Sequence, residues 1–580
     1  MAGLRRLLAS CMLLGVLHKA VHTADFPPPC DSTIYCTGEL LHHVQMAKIY
    51  PEDKHFVDMS LRDPIDKIMK RFTTLLKGSP KGQVDRNKLL TLINTHFNPP
   101  GTEFEVWEPL DWQESPEFLN DITDLELRSW AADLNHLWKS LGRKISQTVE
   151  DEPYRHSQIY VPHPVIVPGG RFREFYYWDS YWVINGLLLS EMYDTARGMI
   201  ENFLYMVDRY GFVPNGGRVY YLRRSQPPFL TLMMESYMES RENMTFLREN
   251  IKLLEKEYDF WMTNRSVSVA QGGKNYTLNR YYAPVGEPRP EAYSKDYELA
   301  ANLTDGDKQL LYAELKSAAE SGWDFSSRWF YGSTNTLLDT KTGSVVPADL
   351  NGILCQVEKT MAKFYTDLNM PDEATRFLNA LRQRLEAVQA VLWDDDLGVW
   401  LDYNVDDGRR NPNFYPSNLV PLWAECYRDS AVVEKVVSYL ERSRALSYPN
   451  GLPTSLNATG QQWDLPNAWP PLQHMVIEGL EKTQSKTAMD IAFSLAQKWV
   501  TVNYHAYKEY KAMFEKYDVE GDGKPGGGGE YEVQLGFGWT NGVVMQLLHL
   551  YRARLTSAAV SISFSGIMFA LPVLLIALWV

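Results

Sequence analysis

The sequence predicts an all-α protein, an (α/α)6 barrel in which apolar inner helices alternate with amphipathic outer ones. One pattern recurs along the chain: a polar, aromatic, Pro- or Gly-rich loop, an apolar helix, a short turn, then a helix with a charged face. Strand-like alternation is scarce, and no stretch has the composition of a linker between domains. The loop-to-helix junctions fall at Asp179, Gln226 in RSQPPFL, Asp349 in VPADLNG, Asn418 in YPSNLVP, Trp469 in NAWPPLQ and Trp539 in GFGWTNG. Six such hairpins bury their stripes by closing into a ring, with loop insertions over one face.

The elements follow in order. Helical apolar spacing runs from Leu61 to Leu76 and from Ser115 to Leu141, the second with Ser115 as cap and Pro116 in the first turn. Asp179 opens an apolar helix through Trp182, Ile184, Leu187 and Leu188, and its carboxylate lies near the positive end of the helix dipole. Thr195 to Tyr210 is the returning helix, closed by Gly211 in the C′ position. The long gap between Gln226 and Asp349 is expected to hold an inserted loop region. Asp372 to Leu392 is an outer helix, with Phe377, Leu378, Leu381, Leu385, Val388 and Leu392 on its apolar face.

Composition bounds the function. The net charge of -14 and pI near 5.4 argue against a nucleic-acid partner. Arg5 and Arg6 followed by the apolar run Leu7–Leu17 read as a secretory signal, expected to span residues 1–24. The catalytic domain, with an N-terminal helical extension, is then expected over 25–557. Small residues Ser557, Ala558 and Ala559, a short polar spacer and an apolar stretch from Gly566 to Val580 suggest removal of 558–580 and a glycolipid (GPI) anchor at Ser557. The expected location is the extracellular face of the plasma membrane. Sequons at Asn243, Asn264, Asn275, Asn302 and Asn457 agree with that route. So does a plausible Cys30–Cys36 disulfide, while the pairing of Cys355 and Cys426 stays open.

Two stretches carry the chemistry. Pro168–Trp182, PGGRFREFYYWDSYW, crowds glycines, arginines, carboxylates and aromatics into one loop and helix start. Such donors, acceptors and ring faces suit a sugar, whose hydroxyls need bonds and whose C–H faces stack. Gln462–Pro471, QWDLPNAWPP, repeats the theme at another helix mouth. Both resemble the signature motifs of trehalases, inverting glycoside hydrolases that split α,α-trehalose into two glucoses, and the resemblance runs from about Pro168 to Asn541. It implies the (α/α)6 fold, trehalose as substrate and no cofactor or metal. Signal, sequons and tail make the chain similar to the animal, membrane-anchored form.

The resemblance also implies roles. Inversion needs one carboxylic acid to protonate the leaving oxygen and one carboxylate to activate water across the sugar, about 6.5 to 9.5 Å apart. Asp324 in ESGWDFSSRW matches the family's general acid, although its local string alone reads as a surface helix cap. Its aromatic neighbours would favour a protonated carboxyl. Glu515 in FEKYDVEGDGKPGGGGEYE matches the catalytic base, and Glu530 a substrate-contacting carboxylate. Substrate-binding positions carried over are Arg171, Trp178, Asp179, Asn215, Arg224, Gln226, Arg289, Glu291 and Gly322. Trp463 and Asp464 are expected to line or buttress the pocket. Gly526–Gly529 suit a mobile flap. The string from Asp518 begins like an EF-hand, but Gly529 stands where the bidentate Glu belongs, so no calcium is expected. Rival readings are an (α/α)6 exo-glucosidase of other specificity and a catalytically inactive sugar-binding protein.

Overall fold

The computed structural model describes residues 26–79, 84–521 and 523–558. The expected signal, most of the C-terminal propeptide and Asp522 lie outside the described residues. Twelve helices, numbered here in chain order, form the barrel: α1 Leu125–Leu141, α2 Asp179–Leu189, α3 Tyr193–Tyr210, α4 Leu230–Ser240, α5 Met244–Asn264, α6 Ala348–Asp367, α7 Pro371–Ala387, α8 Val420–Trp423, α9 Ala431–Arg442, α10 Pro470–Lys482, α11 Lys486–Tyr510 and α12 Gly538–Leu550. The even-numbered helices are the inner ring. Each packs on the next, and α12 packs on α2 to close it.

The ring closes where side chains vanish. Gly542 of α12 sits so near the backbone of α2 that a Cβ would enter the Trp182 carbonyl. A Cβ on Gly186 would lie 2.9 Å from the Gly542 Cα and 2.6 Å from the Trp138 indole of α1. Neither contact leaves room for a methyl group.

Local sequence accounts for most helix ends. Gly211 ends α3 at φ 85°, the left-handed conformation its missing Cβ permits. The expected helix from Ser115 is interrupted: Phe118–Asp121 makes one turn, and α1 starts afresh where the Asp124 carboxylate accepts the Glu126 and Leu127 N–H groups, each at 3.0 Å. The expected helix at Leu61 begins at Ile65, after Pro64. α7 ends at Ala387, and Val388–Leu392 continues as a wider turn. The fourth inner element is short, two turns over Pro416–Leu419 and Val420–Trp423, and the chain leaves it with Glu425 at φ 50°. The presumed inserted loop is largely ordered: it holds α5, the hairpin Ser266–Gln271/Lys274–Asn279, and helices Tyr293–Leu299 and Asp305–Glu320.

A second apolar cluster lies before the barrel, built on Leu40, Leu41, Phe56, Ile68, Phe72, Ile93 and Phe97. It joins the barrel through buried charge: Lys54 pairs with Glu174 at 2.7 Å, and Arg218 pairs with Glu174 and Glu103. Cys30 pairs with Cys36, and Cys355 of α6 with Cys426 beyond α8.

Overpacking a tight contact costs about 1–3 kcal/mol. Gly542→Ala is therefore expected to unfold at lower temperature than the parent, while Gly78→Ala, whose Cβ would meet only ordinary contacts at 3.5 Å, stays within about 0.5 kcal/mol. Calorimetry of the two variants checks it, and equal stability would refute the closure contact.

Candidate active site

The loops at one end of the inner ring surround a cavity. Arg171, Trp178, Asp179, Asn215, Arg224, Gln226, Arg289, Glu291, Gly322, Asp324, Glu515 and Glu530 all lie on its wall, with Trp463. Every residue expected from the sequence to be catalytic or substrate-binding is thus brought to one place. Asp464 is not on the wall.

Short backbone ladders assemble these loops. The Tyr177 N–H donates to the Asn215 carbonyl at 3.1 Å, and the Asn215 N–H to the Arg224 carbonyl at 3.0 Å. Gln226 accepts the Trp178 N–H at 3.2 Å. Asn467–Ala468 pairs antiparallel with Tyr517–Asp518, which joins the second signature to the Glu515 segment. The Glu515 N–H donates to the Gln534 carbonyl at 3.1 Å, and the Gly538 N–H to the Pro168 carbonyl at 2.8 Å. Both ends of the barrel sequence therefore meet at the site.

Asp324 follows the helix Asp305–Glu320 after a turn at Gly322, whose φ is 79° and whose missing Cβ leaves space for the Trp178 indole. The loop beyond it is clamped. Asp464 accepts bonds from Ser326 Oγ (2.9 Å) and from the Ser327 N–H (2.8 Å) and Oγ (2.9 Å), so this carboxylate is a buttress. Arg328 forks onto Asp349 and Asp402 at 2.7–3.0 Å. Burial pushes the Asp324 carboxyl up to about 7, against the pull of Arg289 and Arg224. It is an acid near neutrality.

Glu515 lies in a different field. Burial raises its carboxyl too, but Lys516, the Tyr531 hydroxyl and Arg171 oppose the rise. Tyr531 donates to Oε1 at 2.8 Å. Oε2 is buried and has no hydrogen-bond partner among the described residues. Asp179 is held well above the usual carboxylate range by burial, then by the charges of Glu515 and Asp324. Its carboxyl is therefore suited to donate to a hydroxyl rather than to take a proton.

The arginines split between the two ends. Arg171 stacks 4.5 Å from the Tyr531 ring centroid and sits 2.8 Å from the Glu52 carboxylate. Arg224 donates to Asn215 and Glu291, each at 2.7 Å, and Arg289 to Asp296 at 2.6 Å and Glu530 at 2.9 Å. Arg224 Nη1 and Glu291 Oε2 are buried without a protein partner among the described residues. Orphaned buried groups are costly, and three on or beside one cavity mark a polar ligand site. The rings of Trp463 and Trp469 stack at 3.8 Å beside it.

The glycine run folds against the rim, with the Gly526 N–H on the Lys516 carbonyl and the Gly527 N–H on Asn467 Oδ1, both at 3.0 Å. Sequence reasoning missed Pro51–Lys54, which form part of the wall, and Tyr531, Trp469 and Phe537. Residues 51–54 belong to no aromatic or glycine-rich loop, so no local signal marks them. Tyr531 adjoins Glu530, and its place in the same string was the available clue.

Two buried carboxyl groups in unlike fields, set among guanidinium forks and indole faces at the mouth of an (α/α)6 barrel, define a site of the glycoside hydrolase class. Residues 48–552 match the family model for trehalase. The chain belongs to the trehalase family. It is 55% identical to human trehalase over 535 residues, 92% of each chain, and 47% identical to the honeybee (Apis mellifera) trehalase over 95% of this chain and 89% of that one. Among solved structures it superposes on the neutral trehalase of Saccharomyces cerevisiae with a TM-score of 0.56, at 27% identity, over 67% of this chain and 73% of that one.

Substitution separates the arginines. Arg171→Ala is expected to fold, because its partner Glu52 is 41% exposed, and to lose about a hundredfold in kcat/KM through misplaced substrate. Arg224→Ala and Arg289→Ala should lose at least as much and also stability, since Glu291 and Asp296 stay buried and unpaired. Lysine should restore little, because it lacks the planar fork. Steady-state kinetics with thermal melts checks all three, and near-normal kcat/KM in any would remove that residue from the site.

Proposed function

We propose that this chain hydrolyses α,α-trehalose to two glucose molecules with inversion, Asp324 acting as general acid and Glu515 as general base. The observation that carries the reading is the pair of unlike carboxyl environments in one cavity, one beside orphaned donors and acceptors and the other beside a cation. The names of its close relatives give the substrate.

The steps follow from charge. Asp324, protonated near neutrality, gives its proton to the bridging oxygen as that bond to the anomeric carbon breaks. Water on the opposite face forms the new bond while Glu515 takes its proton on the unpartnered Oε2. One α- and one β-glucose leave. Arg224, Arg289, Glu291 and Glu530 would hold one glucose beside the acid, and Arg171, Asp179 and Trp178 the other beside the base. Asn215, Gln226 and Gly322 fill the wall between.

Activity requires protonated Asp324 and ionised Glu515. It is expected to fall as pH rises through about 7 and again as pH drops through the Glu515 value. Asp324→Asn and Glu515→Gln should each abolish turnover of folded protein. Azide should restore only the base variant, and only with an activated substrate such as α-glucosyl fluoride, where it replaces water and no acid is needed. Proton NMR before mutarotation decides the stereochemistry, since two α-glucoses would refute inversion. Glucose release from trehalose, set beside maltose and sucrose, tests specificity.

We further propose a secreted glycoprotein tethered through a glycolipid at Ser557. Asn264, Asn275 and Asn302 are exposed, which supports glycans there, and Asn243 is half-buried as the N-cap of α5. Asn457 is poorly suited, because its side-chain nitrogen donates to Ser327 Oγ at 3.2 Å beside the Asp324 loop. The Ser557 N–H and Oγ both bond Asp124, at 2.8 and 3.0 Å, which would put the tether at the start of α1. Phosphatidylinositol-specific phospholipase C should release activity from expressing cells; release by detergent alone would refute the lipid anchor.

A further inference from the structure

We propose that Lys516 is the positioning residue that makes Glu515, and not a neighbouring carboxyl, the base of the site. Its ammonium is wholly buried behind Glu515, off the cavity wall. Nζ lies 3.7 Å from the unpartnered Glu515 Oε2. It donates to Gln462 Oε1 at 2.7 Å, and Gln462 Nε2 donates to the Asp324 carbonyl at 2.6 Å. The Trp469 ring lies beneath it, 4.9 Å from centroid to nitrogen. One side chain and one amide thus connect the loop of the base to the loop of the acid.

The cavity gathers Asp179 from the head of α2, Asp324 and Glu515 on one wall. Burial alone would drive all three towards the protonated form. All three do move up, and at Glu515 the first influence opposing the rise is Lys516. Glu515 is also faced by the Tyr531 hydroxyl from the glycine-rich strap and Arg171 from the first signature loop, and its like charge is Asp179. Asp324 and Glu532 are the further carboxylates near Lys516. Arg171 has Glu52 for a counter-ion, whereas the Lys516 ammonium has Glu515. Losing the ammonium removes an opposite charge from the base at contact range, and such a charge moves a carboxyl by about one to three pKa units.

The test is the pH profile of kcat/KM on trehalose for Lys516→Met, Lys516→Gln and Lys516→Arg. In both neutral variants the acidic limb should move up by about one unit or more, so that raising the pH recovers part of the lost rate. Lys516→Arg should keep the limb near its parent position. A neutral variant whose rate falls equally at every pH, with unmoved limbs, would show a merely structural lysine and overturn the proposal. Should neither neutral variant fold, the parent profile decides: limbs a unit or more apart support it, and coincident limbs overturn it. The proposal rests on Glu515 as base, which Glu515→Gln tests separately. An active Glu515→Gln enzyme sinks that assignment, whereas an inactive one with unshifted Lys516 variants sinks this proposal alone.

Discussion

The closest approach in the ring, Gly542 against the backbone at Trp182, governs the molecule. A toroid of hairpins has no central strand to order it, so its closure depends on how near the first and last inner helices come. Here the heads of α2 and α12 are drawn together, and the segments before them, 168–178 and 513–537, are carried into one wall. The Gly538 N–H on the Pro168 carbonyl is that closure continued into the loops. A wider contact would separate Asp179 from Glu515.

The consequence is a buried volume holding several carboxyl groups, which burial would leave protonated unless charge were supplied. The cations are distributed unevenly. Arg224 and Arg289 are each held by carboxylates of their own, Glu291, Asp296 and Glu530, so their pull on Asp324 is only partial and it remains an acid near 7. Lys516 is directed at Glu515. Rigidity comes from outside the cavity: Asp464 and Arg328 pin the loop after Asp324, so the acid is held by residues that need never touch a sugar. Preorganised polar groups of this kind act without rearrangement when charge develops.

The N-terminal extension adds to the site. Pro51–Lys54 complete the wall, Glu52 meets Arg171, and Asp53 accepts the Ser294 N–H at 2.7 Å. The buried Lys54–Glu174–Arg218 cluster includes the first signature loop's own Glu174, which is held down at about 2, the two cations outweighing its burial. The cavity wall therefore includes a segment more than a hundred residues before the first signature loop.

The helical ring and the loop-to-helix junctions were legible in the sequence, because apolar period and local loop chemistry are short-range properties, while the individual cavity residues named from it came from likeness to a family. The junctions at Asp179, Asp349 and Trp539 fall within a residue of observed helix starts. Short-range signals also misled: Ser115 is a good cap in isolation, yet Asp124 begins α1. Spacing could not rank Glu515 against Glu530, and the local string read Asp324 as a surface cap; likeness to a family assigned both. Folding in three dimensions was needed to show that Asp464 buttresses the loop after Asp324 from off the cavity wall, that residues 51–54 line the cavity, and where Lys516 points. Those are matters of burial and of charges brought close from distant parts of the chain, and a linear string carries no record of either.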